Sequence, residues 1–184
     1  AGLLIVLGLL YGAYRMAFVD ALSGLRNRRA LDEAMDRLSG AYAIAMVDID
    51  HFKSFNDTWG HQTGDQVIRF VASALTKFAL PDHLVARYGG EEFAVIMPRT
   101  TLKDAGRIAD QISGAIEAKR LVRRSTNETI GAVTVSFGAA IYAASESVGQ
   151  FITRADECLY MSKRNGRNRV TLETQMPPIA SSAA

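Results

Sequence analysis

Two adjacent carboxylates, Glu91 and Glu92, follow two adjacent glycines between apolar runs of strand length. This spacing predicts a β-hairpin that carries both acids at its tip, because consecutive glycines permit the positive φ angles of a tight turn and leave room for a bulky ligand. Side chains alternate along a strand, so we expect one carboxylate to face a site while the other supports it. Taken alone, the pattern would favour a solvated acidic turn, and the rest of the chain overturns that interpretation.

A second acidic pair, Asp48 and Asp50, ends the nearly continuous apolar run 42–47. Such a run predicts a central strand that is buried on both faces. Carboxylates placed where a buried strand emerges suit a metal ion, because hard cations such as Mg²⁺ prefer carboxylate and carbonyl oxygens. For Asp50 we favour a simpler role, in which it caps the next helical turn.

A polar stretch with two glycines, residues 51–65, leads into an amphipathic helix. It contains Asn56 and Asp65, whose amide and carboxylate could recognise a purine edge, since a carboxylate can accept hydrogen bonds from guanine N1–H and N2–H₂. Considered alone, these residue types serve more often in turns and helix caps.

The composition fits one globular domain with short appendages. Of the 184 residues, 48% are hydrophobic and 22% are charged, which excludes a disordered chain. A formal net charge of +2 is too weak to indicate duplex nucleic acid binding, although it is compatible with a small polyanion. The single cysteine, Cys158, excludes an intrachain disulfide, and its apolar helical neighbours predict a small core residue.

Residues 1–19 form an apolar run with one charge, Arg15, and no helical amphipathicity. A membrane span needs roughly 20 apolar residues. We interpret the run as the end of a transmembrane helix with Arg15 on the cytoplasmic side. The alternatives are a coiled-coil stalk that pairs two subunits, and a signal peptide, which is disfavoured because no basic n-region or small-residue cleavage site is visible.

The remaining patterns predict the elements that position these side chains. They are a helix that begins after Asn27 and is closed by Gly40, a helix over 102–116, a charged loop over 120–129, a strand over 132–142, a helix that ends at Asn165 and Gly166, and a strand over 168–172. Their order predicts an α/β fold, an α+β sandwich in which helices flank a mainly antiparallel central sheet. We divide the chain into the apolar helix 1–19, a domain over 20–173 and a disordered tail over 174–184.

Six segments carry a family pattern, in order and at family spacing. They are residues 20–29, 47–57, 60–65, 87–93 (Arg-Tyr-Gly-Gly-Glu-Glu-Phe), 133–138 and 155–168. Together they resemble the GGDEF domain of bacterial diguanylate cyclases, over residues 20–172. The resemblance implies a fold akin to the palm of nucleotidyl cyclases and polymerases. It also implies the condensation of two GTP into cyclic di-GMP and two pyrophosphates, with Mg²⁺ or Mn²⁺ as the cofactor.

The resemblance implies a metal and catalytic centre at the two acidic pairs. Asp48, the backbone carbonyl of Ile49 and Glu91 match the family's metal ligands. Glu91 is also the position that activates the attacking ribose 3′-OH, and Glu92 lies close enough to share metal or base duties. The sequence does not separate the roles of these two glutamates.

The resemblance also implies the residues that hold the nucleotide. Phosphates are assigned to Phe52, through its backbone amide, to Lys53, which also counts among the catalytic residues, and to Lys163 and Arg167; guanine is assigned to Asn56 and Asp65, with His61 nearby. The competing interpretation of Lys163 and Arg167 is that they satisfy the dipole of a helix C-terminus.

The resemblance implies a homodimer, because one site holds one GTP while the product joins two. With the apolar run, it places the chain at the bacterial inner membrane, with the catalytic domain in the cytoplasm. A catalytically inactive GTP-binding module that signals through a partner is the alternative function, although the acids that such domains usually lose are present. The chain lacks the interleaved aromatic and basic residues of a single-stranded RNA binder, so we expect no nucleic acid partner.

One segment departs from the pattern. Many GGDEF domains carry an Arg-x-x-Asp site ahead of the hairpin, where bound product inhibits the enzyme. The corresponding residues 80–83 are Leu-Pro-Asp-His, so both charges of that site are missing. We therefore expect no tight product inhibition there, unless Asp82 and Arg87 assemble a substitute.

Overall fold

The structure, a computed structural model, describes residues 2–123, 128–144 and 146–176. Its helices are α1 (Gly2–Phe18), α2 (Arg28–Met35), α3 (Phe52–Trp59), α4 (His61–Phe78), α5 (Leu102–Glu117) and α6 (Val148–Arg164). Its strands are β1 (Arg26–Asn27), β2 (Tyr42–Ile49), β3 (Leu84–Arg87), β4 (Glu92–Pro98), β5 (Arg120–Arg123), β6 (Glu128–Ala132), β7 (Val135–Ile141) and β8 (Val170–Leu172), followed by a 3₁₀ turn (Glu173–Gln175).

Six strands form the main sheet in the order β1-β3-β4-β2-β7-β8. The inner pairs β3–β4, β4–β2 and β2–β7 are antiparallel, whereas the outer pairs β1–β3 and β7–β8 are parallel. The prediction of an α/β fold with helices flanking a mainly antiparallel sheet is therefore confirmed, with the correction that the sheet is mixed. The hairpin β3–β4 is also present as predicted.

The central strand β2 is buried at every residue, as its unbroken apolar run predicts. Its odd-numbered side chains pack with α4 and α5 on one face of the sheet, and its even-numbered side chains pack with α2 and α6 on the other. This period-2 alternation directs Asp48, the last even-numbered residue of the strand, to the side of α6. The strand thus delivers one acid next to the end of that helix.

Helix α6 lies directly on strand β7 because residue 138 is glycine. A Cβ atom at Gly138 would lie only 2.0 Å from the backbone nitrogen of Leu159. The buried hydroxyl of Ser162 donates to the Phe137 carbonyl at 2.6 Å and bonds to the hydroxyl of Thr171 at 2.7 Å. These contacts fix the last turn of α6, which carries Lys163, against the sheet.

Several predicted boundaries need correction. Asn27 caps α2 as predicted, with its side-chain oxygen accepting from the Ala30 amide, but the helix ends at Met35, well before Gly40. Of the predicted charged loop 120–129, residues 120–123 form β5 and residues 128–129 begin β6, while 124–127 lie outside the described residues. The predicted strand over 132–142 is interrupted after β6. Of the predicted disordered tail, residues 177–184 lie outside the described residues.

Helix α1 is apolar, and none of its residues is buried. Among the described residues, no helix is long and apolar enough to cross a membrane. Helix α1 has 17 residues and carries the charge of Arg15 in its last turn. This finding contradicts the predicted location at the bacterial inner membrane and leaves the predicted attachment through residues 1–19 unsupported.

Candidate active site

Most of the residues predicted to bind metal and phosphate surround one pocket beyond the end of β2. The pocket has a volume of about 380 Å³. The predicted residues that line it are Asp48, Ile49, Phe52, Lys53, Glu91, Lys163 and Arg167. Sequence reasoning missed three further lining residues, His51, Ser54 and Asp57. Ser54 and Asp57 are three residues apart and share one face of α3, which is the signal that could have found these two, whereas His51 precedes the helix.

The buried carboxylate of Asp48 is paired with Lys163 across the pocket. The Lys163 ammonium nitrogen lies 2.8 Å from one carboxylate oxygen. Burial raises the pKa of Asp48 above its usual range, while the hydrogen bond and charge of Lys163 oppose that rise. The pair therefore joins the end of β2 to the end of α6 inside the pocket.

The hairpin turn is closed by the backbone of Glu92. Its carbonyl accepts from the amides of Tyr88 at 2.8 Å and Gly89 at 3.2 Å. Neither glycine of the turn is among the described residues with positive φ, so the prediction that the turn requires positive φ at these glycines is wrong. Gly89 instead provides space, because a Cβ atom there would lie 2.4 Å from a carboxylate oxygen of Glu92.

The two glutamates of the hairpin occupy different places. Glu91 lines the pocket, whereas Glu92 begins β4 and lies opposite Asp48 in the β2–β4 ladder. Burial raises the pKa of both glutamates, and repulsion from Asp48 adds to the rise, while Lys163 lowers both values. One acid faces the pocket as expected, and all three carboxylates interact electrostatically.

Arg87 ties the hairpin to the turn that follows α1. Its guanidinium donates to Asp20 at 3.0 and 3.1 Å and to the Gly90 carbonyl at 2.7 Å. Burial alone would raise the pKa of Asp20, but hydrogen bonds from Ser23 and Arg87 bring it below its ordinary value. Sequence reasoning gave Arg87 no role of its own in positioning the acidic hairpin.

Asn56 and Asp65 lie within α3 and α4, so neither serves as a turn or cap residue. The side-chain oxygen of Asn56 is buried and has no hydrogen-bond partner among the described residues. A Cβ atom at Gly64 would lie 1.9 Å from that oxygen, so the glycine makes room for the amide. The exposed His61 begins α4. These three polar residues do not line the pocket around Asp48 and belong to the adjoining α3–α4 pair.

The first turn of α3 contributes backbone amides to the pocket. His51 precedes the helix with φ of 57°, and no side chain among the described residues caps this end. The first N–H groups of a helix lack partners within it and carry a partial positive charge, which suits an anion. Phe52, whose ring is buried, and the exposed Lys53 occupy this turn at the pocket wall.

Asp50 is not the helix cap that the sequence favours. The residue before α3 is His51, and the Asp50 carboxylate points away from the helix to three other donors. These donors are the hydroxyl of Thr134 at 2.7 Å, the hydroxyl of Ser136 at 2.7 Å and the amide of Asn168 at 2.9 Å. The Asp50 amide donates to the Thr134 carbonyl at 3.0 Å, so the chain runs on beside the start of β7 and brings the carboxylate to these donors.

The oxygen atoms at the pocket fit a hard divalent cation. Among the described residues, no group of three or more His, Cys, Asp or Glu side chains could hold a metal ion. The pocket instead offers the carboxylates of Asp48 and Glu91 and the backbone of Ile49. A few carboxylates and water molecules are the usual ligands of Mg²⁺ at phosphate-binding sites, so the donor set fits that ion.

A family model matches most of the chain. The model described as "Diguanylate cyclase, GGDEF domain" matches residues 17–169. The chain belongs to this family of enzymes, which confirms the resemblance drawn from its motifs.

Curated relatives cover most of this chain. The diguanylate cyclase VdcA of Vibrio cholerae serotype O1 is 42% identical over 157 residues, which are 84% of this chain and 46% of VdcA. The response regulator PleD of Caulobacter vibrioides is 38% identical over 163 residues, which are 84% of this chain and 36% of PleD. The chain therefore spans less than half the length of these two relatives.

A solved structure matches almost the whole fold. The coiled coil and GGDEF domain of DgcB from Caulobacter crescentus, in complex with c-di-GMP, has a TM-score of 0.89 and 45% identity, and the match covers 93% of both chains. The diguanylate cyclase SiaD from Pseudomonas aeruginosa, in complex with its activator SiaC, has a TM-score of 0.78 and 33% identity, with coverage of 91% and 66%.

Proposed function

We propose that this chain is the catalytic domain of a diguanylate cyclase, which condenses two GTP molecules into cyclic di-GMP and releases two pyrophosphates. The observation that carries this proposal is the meeting of Asp48, Glu91, Lys163 and Arg167 with the start of α3 in one pocket. The family membership and the named activity of relatives such as VdcA support it.

The cations of the pocket are suited to the triphosphate of GTP. Lys53, Lys163 and Arg167 provide an ammonium, a second ammonium and a guanidinium, which form charge-assisted hydrogen bonds with phosphate oxygens. The uncapped start of α3 adds backbone amides from Phe52 onward. These contacts would hold the α-phosphate in reach of the attacking hydroxyl.

Asp48, Glu91 and the carbonyl of Ile49 would hold Mg²⁺, or Mn²⁺, next to these phosphates. When bound, the ion offsets negative charge on the phosphates and on the departing pyrophosphate. Lys163 keeps the pKa of Asp48 from rising further, which favours the ionised carboxylate that a metal ligand requires.

Glu91 would accept the proton of the ribose 3′-OH. The oxygen then attacks the α-phosphorus of the second GTP, and pyrophosphate leaves. A carboxylate with a raised pKa is a stronger base than an ordinary one, and the pKa of Glu91 is raised by burial and by Asp48. Glu92, whose pKa is raised in the same way, is the other candidate for this role.

Guanine would be held between α3 and α4. The buried oxygen of Asn56 lacks a partner among the described residues and can accept a hydrogen bond from a guanine amino group. Asp65 would accept from N1–H and N2–H₂, which adenine does not offer on that edge. His61, at the start of α4 and four residues before Asp65, would contact the same base from the same face of the helix.

The reaction requires two subunits, because each site would hold one GTP and the product contains two guanylates. Two copies related by a two-fold axis would bring their pockets face to face. Helix α1 exposes large apolar side chains over its length, and the solved DgcB structure includes a coiled coil. We therefore assign α1 to a stalk that pairs two chains.

The deciding experiment incubates the purified chain with GTP and Mg²⁺ and separates the products by chromatography. Cyclic di-GMP and pyrophosphate should form at a two-to-one ratio of pyrophosphate to product. The variant Glu91→Gln is the control for contaminating cyclases. A chain that binds GTP but forms no product would contradict the proposal and support the alternative, an inactive GTP-binding module that signals through a partner.

A further inference from the structure

Three consecutive residues after α6 adopt backbone conformations with positive φ. The φ angles are 110° for Gly166, 63° for Arg167 and 46° for Asn168. Glycine reaches this region freely and asparagine tolerates it, whereas arginine enters it at an energetic cost. A strained segment of this kind persists only when surrounding contacts hold it. Its middle residue, Arg167, lines the active-site pocket.

The contacts that hold this segment come from both sides. The Arg167 amide donates to the Ser162 carbonyl at 3.0 Å, which closes the end of α6. The Asn168 amide donates to the Asp50 carboxylate at 2.9 Å, although the two residues are 118 positions apart in the chain. The Asn168 side chain donates to Glu117 at 2.8 Å. Asp50 is thus the contact that links the strained segment to the end of β2.

The carboxylate of Asp50 is itself firmly held. Only 8% of Asp50 is exposed, and its two oxygens accept from Thr134, Ser136 and Asn168. Its own amide donates to the Thr134 carbonyl at 3.0 Å. This held carboxylate bonds directly to the Asn168 amide, so the position of the segment follows the position of the end of β2.

We propose that Asp50 is a positioning residue for Arg167. By accepting the Asn168 amide, it holds the segment 166–168 in the conformation that directs the Arg167 guanidinium into the pocket. The same strand end carries Asp48, so the end of β2 would fix the positions of both the proposed metal ligand Asp48 and the proposed phosphate-binding cation Arg167. This inference rests on the proposed function, because the group that Arg167 meets is a phosphate of GTP.

The test measures the affinity for α,β-methylene GTP by calorimetry, since this analogue lacks the bond that the reaction breaks. Asp50→Ala should weaken binding about tenfold, because Arg167 loses its orientation for a charge-assisted bond. Asp50→Asn, which retains an acceptor oxygen, should weaken binding by a smaller factor. Both effects should vanish in an Arg167→Ala background, because Asp50 then has no guanidinium to orient.

Ser136→Ala is the matched control. It removes a hydrogen bond from the other oxygen of the same carboxylate and leaves the Asn168 contact in place. It should lower the melting temperature as a lost buried hydrogen bond does, and it should leave the affinity within about twofold of wild type. Should Asp50→Ala fail to fold, the same comparison is made with Asp50→Asn.

Equal losses of affinity for the Asp50 variants with and without Arg167 would overturn the proposal, and so would an equal loss in Ser136→Ala. If the variants show the expected affinities for the analogue but the wild-type chain makes no cyclic di-GMP, the result would support the positioning role and contradict the proposed reaction. A wild-type chain that does not bind the analogue would contradict both.

Discussion

The ammonium of Lys163 lies 2.8 Å from the carboxylate of Asp48, so the pocket pairs its most buried acid with its own cation. Asp48 comes from the central strand and Lys163 from the last turn of α6, which Gly138 allows to rest on the sheet. The charge of Lys163 lowers the pKa of Asp48, Glu91 and Glu92 against the effect of burial. One lysine therefore influences all three acids.

We predict that Lys163→Met moves the acid limb of the pH–rate profile to higher pH. Activity requires Asp48 as a carboxylate, and its pKa is already raised by burial, against the opposing effect of Lys163. Without the ammonium the pKa rises further, so activity is lost earlier as the pH falls. Initial rates of cyclic di-GMP formation across pH measure this shift.

Arg164→Met is the matched control for that substitution. Arg164 is the next residue of α6, but its guanidinium lies over the ring of Tyr160, 5.8 Å from the centroid, and it does not line the pocket. The acid limb of its pH–rate profile should match that of wild type. An unchanged limb in Lys163→Met would contradict the assignment of this lysine.

Glu91→Gln should lower turnover by about a hundredfold or more and raise the melting temperature at neutral pH. The turnover falls because the general base is lost. The stability rises because the pKa of Glu91 is raised in the folded chain, so its charged form costs stability above that pKa. As the pH falls through the raised pKa toward the ordinary value, wild-type Glu91 takes up a proton and the difference should disappear. Melting curves of both chains across this range check the sign, and a stabilisation that grew toward low pH would contradict it.

Gly64→Ala should reduce the selectivity for GTP over ATP about tenfold. An added methyl group would meet the Asn56 side-chain oxygen at 1.9 Å and displace it, and a site that loses a base-edge partner loses discrimination. Asp65→Ala should act in the same direction through the second base contact. The ratio of kcat/KM for the two nucleotides is the measurement.

Gly114→Ala is the control for a helical glycine, because the added carbon meets no atom of the described residues within 4 Å beyond its own helical turn. It should preserve selectivity and stabilise α5 slightly, since alanine favours a helix over glycine. Equal selectivity in wild type and Gly64→Ala would show that Asn56 does not read the base.

Specific activity should rise with protein concentration, because the reaction needs two half-sites. A variant that lacks residues 1–18 should require a higher concentration for the same activity, since α1 no longer raises the effective concentration of its partner. Rates over a dilution series, together with the mass from light scattering, test this. Constant specific activity from a monomer would contradict the dimeric site.

Features that depend on neighbouring residues in the sequence could be predicted from the sequence. The unbroken apolar run of β2 predicts a central strand, and β2 is buried at every residue. The motif residues Asp48, Glu91 and Lys163 line one pocket. Cys158 is buried as predicted, and burial raises the pKa of its thiol to about 11.

Long-range contacts account for the errors. Asp50 resembles a cap when only its neighbours in sequence are considered, but its hydroxyl partners lie 84 and 86 positions away. Gly89 resembles a positive-φ turn residue, but its requirement is the room that it leaves for Glu92. A short stretch of sequence shows neither which distant residues a side chain contacts nor where that side chain points. These roles are therefore visible only in the folded chain.

Residues 80–83 replace the product-binding motif, and the charged residues Asp82 and Arg87 already make other contacts. Asp82 pairs with Arg99 at 2.5 Å, and Arg87 is held by Asp20 and Gly90. Both ring nitrogens of His83 are buried and have no partner among the described residues, so the ring does not present them to solvent. The two charged residues that could assemble a substitute site are therefore engaged elsewhere.

We predict that cyclic di-GMP binds weakly at residues 80–83. A cavity of about 920 Å³ adjoins this segment, but the side chain of Leu80 can form no hydrogen bond and Pro81 lacks a backbone N–H. A charge-assisted hydrogen bond contributes about 1.5 to 3 kcal/mol, so its loss should weaken product binding by about tenfold or more. Calorimetric titration of cyclic di-GMP into wild type and into a variant carrying Leu80→Arg and His83→Asp measures the difference. The double variant should bind product more tightly and be inhibited by it, whereas sub-micromolar binding to wild type that disappeared on substituting residues 80–83 would contradict the prediction.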